Sequence, residues 1–293
     1  MKFAFSTVSC PKWDFETIVA RAKEYGYDGV EVRGFLNESI MTASNPFLTD
    51  PAKLRRMFEG SGLEVACLAS SIAFQKNRRA DTRSADDLKR FIDAAAALGC
   101  GIVKIFDTHV QARSMRVPWR GQSRSSAGVS LGDWLLPFGD YAARQDVVIV
   151  IENALSFRDS KEMWAILDRL QHPSIACCWD VFNAAQIGEA PSFSVPTLNS
   201  KIAYTQVKDA KFGALGTVFT KLGEGDVQVE KFLRRLRGIG YRGWVSVEWE
   251  KAWLPNIAEP EEILPDAIKK LKEWMKSGAD EEAESDAEPA GVH

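Results

Sequence analysis

The chain has 293 residues and a formal net charge of −3, which is enough material for one large α/β barrel or two smaller domains. The weak negative charge does not favour nucleic acid as a partner. No run of 18 apolar residues is present, so no membrane-spanning helix is expected. The first residues lack the long apolar region of a signal peptide. The five cysteines show no paired metal spacing. This suits reduced thiols, so we expect a cytoplasmic protein.

Strand and helix patterns alternate along the chain, and eight buried strands are predicted. Apolar, β-branched runs predict strands at residues 3–6, 29–33, 63–70, 101–106, 147–151, 175–179, 202–207 and 244–249. Amphipathic runs predict helices at residues 15–25, 51–60, 83–98, 131–144, 160–170, 229–239 and 260–276, with Ser160 as the cap of the fifth. Eight such units favour a closed (β/α)8 TIM barrel over a doubly wound sheet. No glycine-rich phosphate motif follows the first strand, which weighs against a dinucleotide site.

Two segments do not fit this repeat. Residues 108–132 form a long predicted loop with four arginines and no acid, on the face that carries the site in such barrels. It is expected to act as a lid or a partner surface, with a mobile solvated loop as the alternative. Residues 277–293 contain six acids and no base, which predicts a disordered tail. The barrel itself is therefore expected to occupy residues 1–276.

The ends of four successive strands carry the strongest functional signal. Glu152, Asp180, Gln206 and Glu248 each lie where a strand of apolar residues ends. Each residue taken alone is also consistent with an ordinary loop residue. In a barrel, however, these ends meet at one mouth. Three carboxylates there would repel one another without a cation between them, and oxygen ligands suit Mn²⁺ or Mg²⁺ better than Zn²⁺.

With carboxylates at these strand ends, the sequence resembles the sugar phosphate isomerase/epimerase family, the xylose isomerase-like TIM barrels. The resemblance covers about residues 1–276 and rests on five motifs. They are Val150-Ile151-Glu152-Asn153, Trp179-Asp180-Val181-Phe182-Asn183, Gln206-Val207-Lys208-Asp209, Leu222-Gly223-Glu224-Gly225-Asp226 and the run from Gly240 to Glu248. By this resemblance the metal ligands are Glu152, Asp180, Gln206 and Glu248. The resemblance also makes Glu152 and Glu248 the acid/base pair.

Two positions depart from the family pattern. The family usually has histidine at the position of Gln206, and an amide oxygen binds a hard cation more weakly. Its keto-sugar epimerases have a substrate-binding histidine at the position of Asn183, so by this resemblance Asn183 is a candidate for substrate binding here. Zinc apurinic endonucleases share the barrel, but their trinuclear site needs many histidines. This chain has three, so that reading is rejected.

Three further residues have two interpretations each. His109, after the fourth strand, is either an extra base or a loop residue. Lys208 shares a strand face with Gln206, so it either neutralises an oxyanion or forms a structural ion pair. Arg33 is either a substrate contact or the partner of Glu31 in a buried salt bridge.

These residues predict a metal-dependent enzyme that acts on a small-molecule sugar. A cation bound to adjacent sugar oxygens would acidify the carbon-bound proton beside a carbonyl, and a carboxylate would remove it. Return of the proton gives isomerisation or epimerisation of a keto-sugar. Expulsion of a hydroxyl gives lyase or hydratase chemistry on a 3-keto-sugar, keto-glycoside or inosose. The ion is expected to be Mn²⁺, with Mg²⁺ and Co²⁺ as alternatives. A non-catalytic barrel subunit is the alternative of another class, and the chain's assembly as a homo-oligomer stays open.

Overall fold

A computed structural model of the chain describes residues 1–33, 46–74, 78–108, 124–154, 156–214 and 216–287. Eight parallel strands close into a barrel, in which the neighbours in order are Lys2–Ser6, Trp244–Val247, Ile202–Val207, Ile175–Asp180, Val148–Glu152, Ile102–Thr108, Glu64–Phe74 and Gly29–Val32. Helices follow the strands and surround them, so the predicted (β/α)8 TIM barrel is confirmed. No helix in these ranges combines the length and the apolarity that crossing a bilayer requires.

The strands lie close to their predicted positions. The barrel strands are β1 (Lys2–Ser6), β2 (Gly29–Val32), β3 (Glu64–Phe74), β4 (Ile102–Thr108), β5 (Val148–Glu152), β6 (Ile175–Asp180), β7 (Ile202–Val207) and β10 (Trp244–Val247). Two more strands, β8 (Asp209–Gly213) and β9 (Gly216–Thr220), pair as an antiparallel hairpin directly after β7.

The helices include three short elements that the sequence pattern did not separate. The helices are α1 (Phe15–Tyr25), α2 (Pro46–Thr49), α3 (Pro51–Ser61), α4 (Arg78–Leu98), α5 (Arg124–Ala143), α6 (Ser160–Leu170), α7 (Val181–Ala185), α8 (Pro191–Leu198), α9 (Val229–Gly238) and α10 (Pro260–Ala287). Short 3-10 turns lie at Thr7–Ser9 and Asn199–Lys201. The new helices α2, α7 and α8 all lie in connections between strands.

The barrel interior differs in composition from the shell between strands and helices. Its apolar part consists mainly of small side chains, among them Ala4, Cys67, Ala69 and Cys178. Large apolar residues such as Ile151 instead belong to the shell that packs against the helices. Because side chains alternate across a strand, the small inward residues leave room in the interior for long polar side chains from neighbouring strands.

A buried carboxylate anchors the base of the β8–β9 hairpin. Asp209 accepts hydrogen bonds from the backbone N–H groups of Gly223 (2.8 Å), Gly225 (3.1 Å) and Val227 (3.1 Å). A Cβ at Gly225 would collide with this carboxylate and with the backbone of Ala210. Gly223 has φ of +85°, a conformation that glycine adopts without strain. The glycines at 223 and 225 are therefore needed to wrap this loop around Asp209.

Three expectations need correction. Of the predicted loop 108–132, residues 109–123 lie outside the described part of the chain, and residues from Arg124 onward are helical, although serine and glycine are weak helix formers. The same helix continues through Leu131 and Leu135, which are fully buried in the core. Because helix formation is cooperative, this packed part supports the extension toward Arg124. The cap of α6 is Asp159, whose carboxylate accepts from the backbone N–H of Glu162 at 2.9 Å. Ser160 is instead the first helical residue.

The carboxyl-terminal tail also differs from its expected disorder. Helix α10 continues through the acidic segment to Ala287, where alanine and glutamate favour helix. Residues 288–293 lie outside the described part of the chain.

Candidate active site

Four carboxylates meet inside the carboxyl end of the barrel. Glu31 lies in β2, Glu152 and Asp180 end β5 and β6, and Glu248 follows β10. Each is at most 3 % exposed. Glu152, Asp180 and Glu248 each offer an oxygen atom within 4.8 Å of the other two. The strand ends therefore converge as the sequence predicted, and oxygen donors of this kind fit a divalent cation such as Mn²⁺ or Mg²⁺.

Three side-chain cations lie among these carboxylates. The ammonium of Lys208 lies 2.7 Å from Asp180 and 2.9 Å from Glu248. The guanidinium of Arg33 lies 3.0 Å from Glu248. Lys208 thus forms an ion pair, and Arg33 pairs with Glu248. The alternative that Arg33 forms a salt bridge with Glu31 was wrong.

Lys104 is a third cation, and the sequence analysis missed it. Its ammonium lies 2.7 Å from Glu152, 3.4 Å from Glu31 and 3.5 Å from Glu248, and the side chain is fully buried. The signal was present in the sequence, because Lys104 interrupts the apolar run of β4. A charge inside a buried strand needs a buried partner of opposite charge. Lys104 therefore indicates a charged barrel centre.

Gln206 lies beneath the carboxylates and donates hydrogen bonds to them. Its amide nitrogen is 3.0 and 3.1 Å from the two oxygens of Glu31 and 2.9 Å from Glu248. Its amide oxygen accepts from the thiol of Cys178 at 3.3 Å. The Tyr204 hydroxyl donates to Glu31 at 3.0 Å. In this arrangement the nitrogen of Gln206, and not its oxygen, faces the carboxylates.

The ion pairs change the acid–base properties of these groups. Burial raises the pKa of Glu248, but Lys208, Lys104 and Arg33 outweigh that effect and lower the pKa well below its ordinary value. Burial raises the pKa of Asp180 to about 6, although Lys208 opposes the rise. Burial lowers the pKa of Lys208, but its carboxylate neighbours raise it well above its ordinary value. Glu248 and Lys208 are therefore both charged at neutral pH.

Hydrogen bonds to two asparagines and to the start of α7 hold Asp180 and Glu152 in place. The side chain of Asn153 accepts from the backbone N–H of Asp180 at 2.7 Å and donates to its carbonyl at 3.0 Å. Asp180 also caps α7, accepting from the N–H of Phe182 at 2.8 Å. Asn183 donates to Glu152 at 3.5 Å, so this predicted substrate residue does reach the site.

Aromatic rings line the mouth above the charged cluster. The guanidinium of Arg33 lies 4.8 Å from the ring of Phe106 and 4.7 Å from the ring of Trp253, a cation–π arrangement. Its Nε is buried without a hydrogen-bond partner among the described residues. The ring centre of Phe182 lies 5.0 Å from the Lys208 ammonium, and this ring stacks on that of Phe219 in the hairpin at 5.3 Å between ring centres. The hairpin therefore forms part of one wall of the mouth.

The structure brings together all but one of the residues that the sequence placed in the site. Glu152, Asp180, Gln206 and Glu248 form its centre, and Arg33, Asn183 and Lys208 surround them. His109 lies outside the described residues. Lys104 and Tyr204 are additional members of the site, and Glu31 takes part as a hydrogen-bond acceptor.

Comparison with known proteins agrees with this architecture. The family model described as xylose isomerase-like TIM barrel matches residues 19–276. Two solved structures share the fold, L-ribulose 3-epimerase (TM-score 0.79, 14 % identity, 99 % of each chain covered) and the IOLI protein with a binding zinc atom (TM-score 0.77, 17 % identity, 94 % of this chain and 99 % of that one).

Two curated relatives are dehydratases. The 3-dehydroshikimate dehydratase of Pseudomonas putida is 24 % identical over 76 % of this chain, which spans only 34 % of the length of that relative. The inosose dehydratase of Mesomycoplasma hyopneumoniae is 23 % identical over 88 % of each chain.

Proposed function

Because the chain belongs to the xylose isomerase-like TIM barrels, we propose that it is an enzyme that moves a proton at a carbon beside the carbonyl of a keto-sugar, giving isomerisation or epimerisation. The observation that carries the proposal is the convergence of Glu152, Asp180 and Glu248, whose oxygens come within 4.8 Å of one another. Three buried carboxylates this close together lower the stability of the fold. Their position at the mouth of the barrel, where the active sites of such enzymes lie, supports a catalytic role.

The proposed cofactor is one divalent ion, with Mn²⁺ first and Mg²⁺ or Co²⁺ as alternatives. Glu152, Asp180 and Glu248 would hold it, and Gln206 would join them after its amide turns its oxygen toward the carboxylates. When bound, such an ion supplies Lewis acidity toward neighbouring oxygens of a sugar. Two of the three carboxylates, Asp180 and Glu248, already share a cation, the Lys208 ammonium.

The residues of the chain itself would share the proton transfer. Glu152 and Glu248 enter the barrel centre from β5 and β10 and are proposed as the acid/base pair. The two lysines would neutralise negative charge that develops on the substrate oxygen, since Lys104 and Lys208 are buried within this centre. Arg33 offers its unpartnered Nε to a substrate oxygen, and the rings of Phe106, Phe182 and Trp253 offer apolar surface to the carbon face of a sugar.

A second candidate is a dehydratase, which begins with the same proton abstraction and then expels a neighbouring hydroxyl. Its support is the similarity to the two dehydratases over 76 % and 88 % of this chain. His109 is the proposed additional base for that reaction.

Proton abstraction itself is the best test, because both candidates share it. The metal-loaded protein would be incubated in D₂O with neutral keto-sugars, a 3-keto-glycoside, an inosose and 3-dehydroshikimate. NMR would follow deuterium at the carbon beside the carbonyl. We expect deuterium exchange with at least one compound. An epimer as the product supports the first candidate, and a dehydrated ring supports the second. Glu152→Gln is the matched control and should abolish exchange. A complete lack of exchange across the panel would contradict the proposal.

A further inference from the structure

Lys208 contacts three carboxylates, of which only two are candidate metal ligands. Its ammonium lies 2.7 Å from Asp180, 2.9 Å from Glu248 and 3.1 Å from Glu250. The lysine side chain is 2 % exposed, whereas that of Glu250 is 24 % exposed. Glu250 therefore lies at the outer edge of the cluster, toward solvent, and is not part of the acidic triad.

An ammonium and a divalent ion cannot occupy the same space between Asp180 and Glu248. Two cations at that separation in a water-poor site repel each other strongly. Binding of a metal at the triad therefore requires the Lys208 ammonium to move away from Asp180 and Glu248. The lysine stem is long and flexible, so the movement requires no change in the backbone of β7.

Glu250 offers the displaced ammonium a partner that already touches it. At 3.1 Å the contact exists before any movement. The ring of Phe182, 5.0 Å from the ammonium, supplies a second favourable surface. Lys104 differs from Lys208 in this respect. All three of its partners, Glu31, Glu152 and Glu248, are buried at the barrel centre.

We propose that Lys208 and Glu250 form a cation-exchange pair. In the metal-free protein the Lys208 ammonium bridges Asp180 and Glu248 and takes the place of the ion. When a divalent ion binds the triad, the ammonium withdraws to Glu250. Glu250 is thus a positioning residue that sets metal affinity through Lys208. The inference rests on the metal site of the proposed function, and it does not depend on which reaction the enzyme performs.

A double-mutant cycle tests the exchange. Free Mn²⁺ would be measured by electron paramagnetic resonance during titration of metal-stripped wild type, Lys208→Met, Glu250→Gln and the double variant. We expect Lys208→Met to bind Mn²⁺ about tenfold more tightly, and Glu250→Gln about tenfold more weakly, as is typical of coupled sites. In the Lys208→Met background, Glu250→Gln should change the affinity by less than about twofold, since its effect runs through the lysine.

The control and the contradicting results follow from the same titration. Glu259→Gln removes a carboxylate of the same loop that pairs with Lys251, and it should leave Mn²⁺ affinity unchanged. Equal effects of Glu250→Gln in both backgrounds would show that Glu250 acts by its charge alone, and would overturn the exchange. Unchanged or weaker binding by Lys208→Met would overturn it as well. A wild type that binds no Mn²⁺ would overturn this proposal and the proposed metal site together, whereas bound Mn²⁺ without deuterium exchange would contradict only the reaction.

A second measurement covers the case in which Lys208→Met does not fold without metal. Saturating Mn²⁺ should then restore a cooperative melting transition, because the ion replaces the missing ammonium. A variant that stays unfolded in saturating Mn²⁺ contradicts the proposal. In crystal structures of the wild type with Mn²⁺, the Lys208 ammonium should contact Glu250 and have left Asp180. An ammonium that still bridges Asp180 and Glu248 beside the ion would also overturn it.

Discussion

Along β5, Ile151 and Glu152 are neighbours in the chain but belong to opposite faces of the barrel wall. Ile151 is fully buried in the apolar shell between strands and helices, while Glu152 lies in the charged centre beside Lys104. The outer face gains stability from apolar burial. The inner face collects charges that are neutralised only by one another. Of these two consecutive residues, Ile151 thus contributes to the apolar packing that stabilises the barrel, whereas Glu152 belongs to its charged centre.

The largest effect is expected from Glu248→Gln, which removes the most highly connected charge of the inner face. The substitution keeps the size of the side chain but removes its ability to accept a proton. Turnover at saturating Mn²⁺ should fall by roughly two to four orders of magnitude, as for a lost general base. Glu250→Gln is the matched control, and under the same conditions it should lose much less. Normal turnover by Glu248→Gln together with an inactive Glu250→Gln would show that the proposed placement of the site at Glu248 is wrong.

Stability of the inner face depends on its internal cations, and Lys104→Met tests this directly. The change leaves Glu152 and Glu31 without their common partner, so the free energy of unfolding should fall by roughly 3–5 kcal/mol, as for a broken buried ion pair. Urea unfolding of the metal-free protein measures the loss. Lys2→Met is the control, because Lys2 and its partner Glu64 have half-exposed side chains and such pairs contribute at most about 1 kcal/mol. Equal losses in both variants would refute the distinction between buried and exposed pairs.

The outer face should respond in stability alone. Ile151→Ala removes buried apolar volume, and unfolding should become easier by about 2–5 kcal/mol. Turnover per folded molecule should stay close to that of the wild type, because Ile151 does not belong to the charged centre. Parallel urea unfolding and activity measurements check this. A loss of turnover as large as that of Glu248→Gln would mean that the two faces are coupled.

The smallest effect is expected from deletion of residues 277–293. Among the residues of α10 whose side chains are described, Trp274 is the last buried one, and residues 277–293 carry six acids and no base. The free energy of unfolding should change by no more than about 0.5 kcal/mol, and activity should persist. Calorimetric melting of the shortened chain is the measurement. A fall of several degrees in Tm would show that the acidic helix end docks on the barrel.

The sequence predicted which strand-end residues meet at the mouth of the barrel but not the charge balance among them. Alternation and strand ends placed Glu152, Asp180, Gln206 and Glu248 together, because a barrel forces the ends of its strands to one mouth. From the sequence, removing one of three crowded carboxylates is expected to relieve repulsion. The structure reverses that expectation for Glu248, which three cations surround.

The unpredicted part depends on contacts between distant segments. Residues 31 and 104 belong to different strands, and no local pattern shows that their side chains meet at 3.4 Å. The orientation of the Gln206 amide depends on the thiol of Cys178 and on Glu31 together. Helix α5 begins at Arg124, earlier than its composition suggests, because a helix extends cooperatively from the segment in which Leu131 is buried in the core.

Because the base of the β8–β9 hairpin is anchored at Asp209, the hairpin that forms one wall of the mouth can change independently of the barrel strands. The loop around Asp209 closes the chain at both ends of the hairpin, with Asp226 N–H donating to the carbonyl of Ala210 at 2.8 Å. Strand β7 can therefore present Lys208 to the site in the same way whatever the length or sequence of residues 211–220. A designer could exchange that stretch as a cassette, reshaping this wall of the mouth while the barrel beneath it keeps its register.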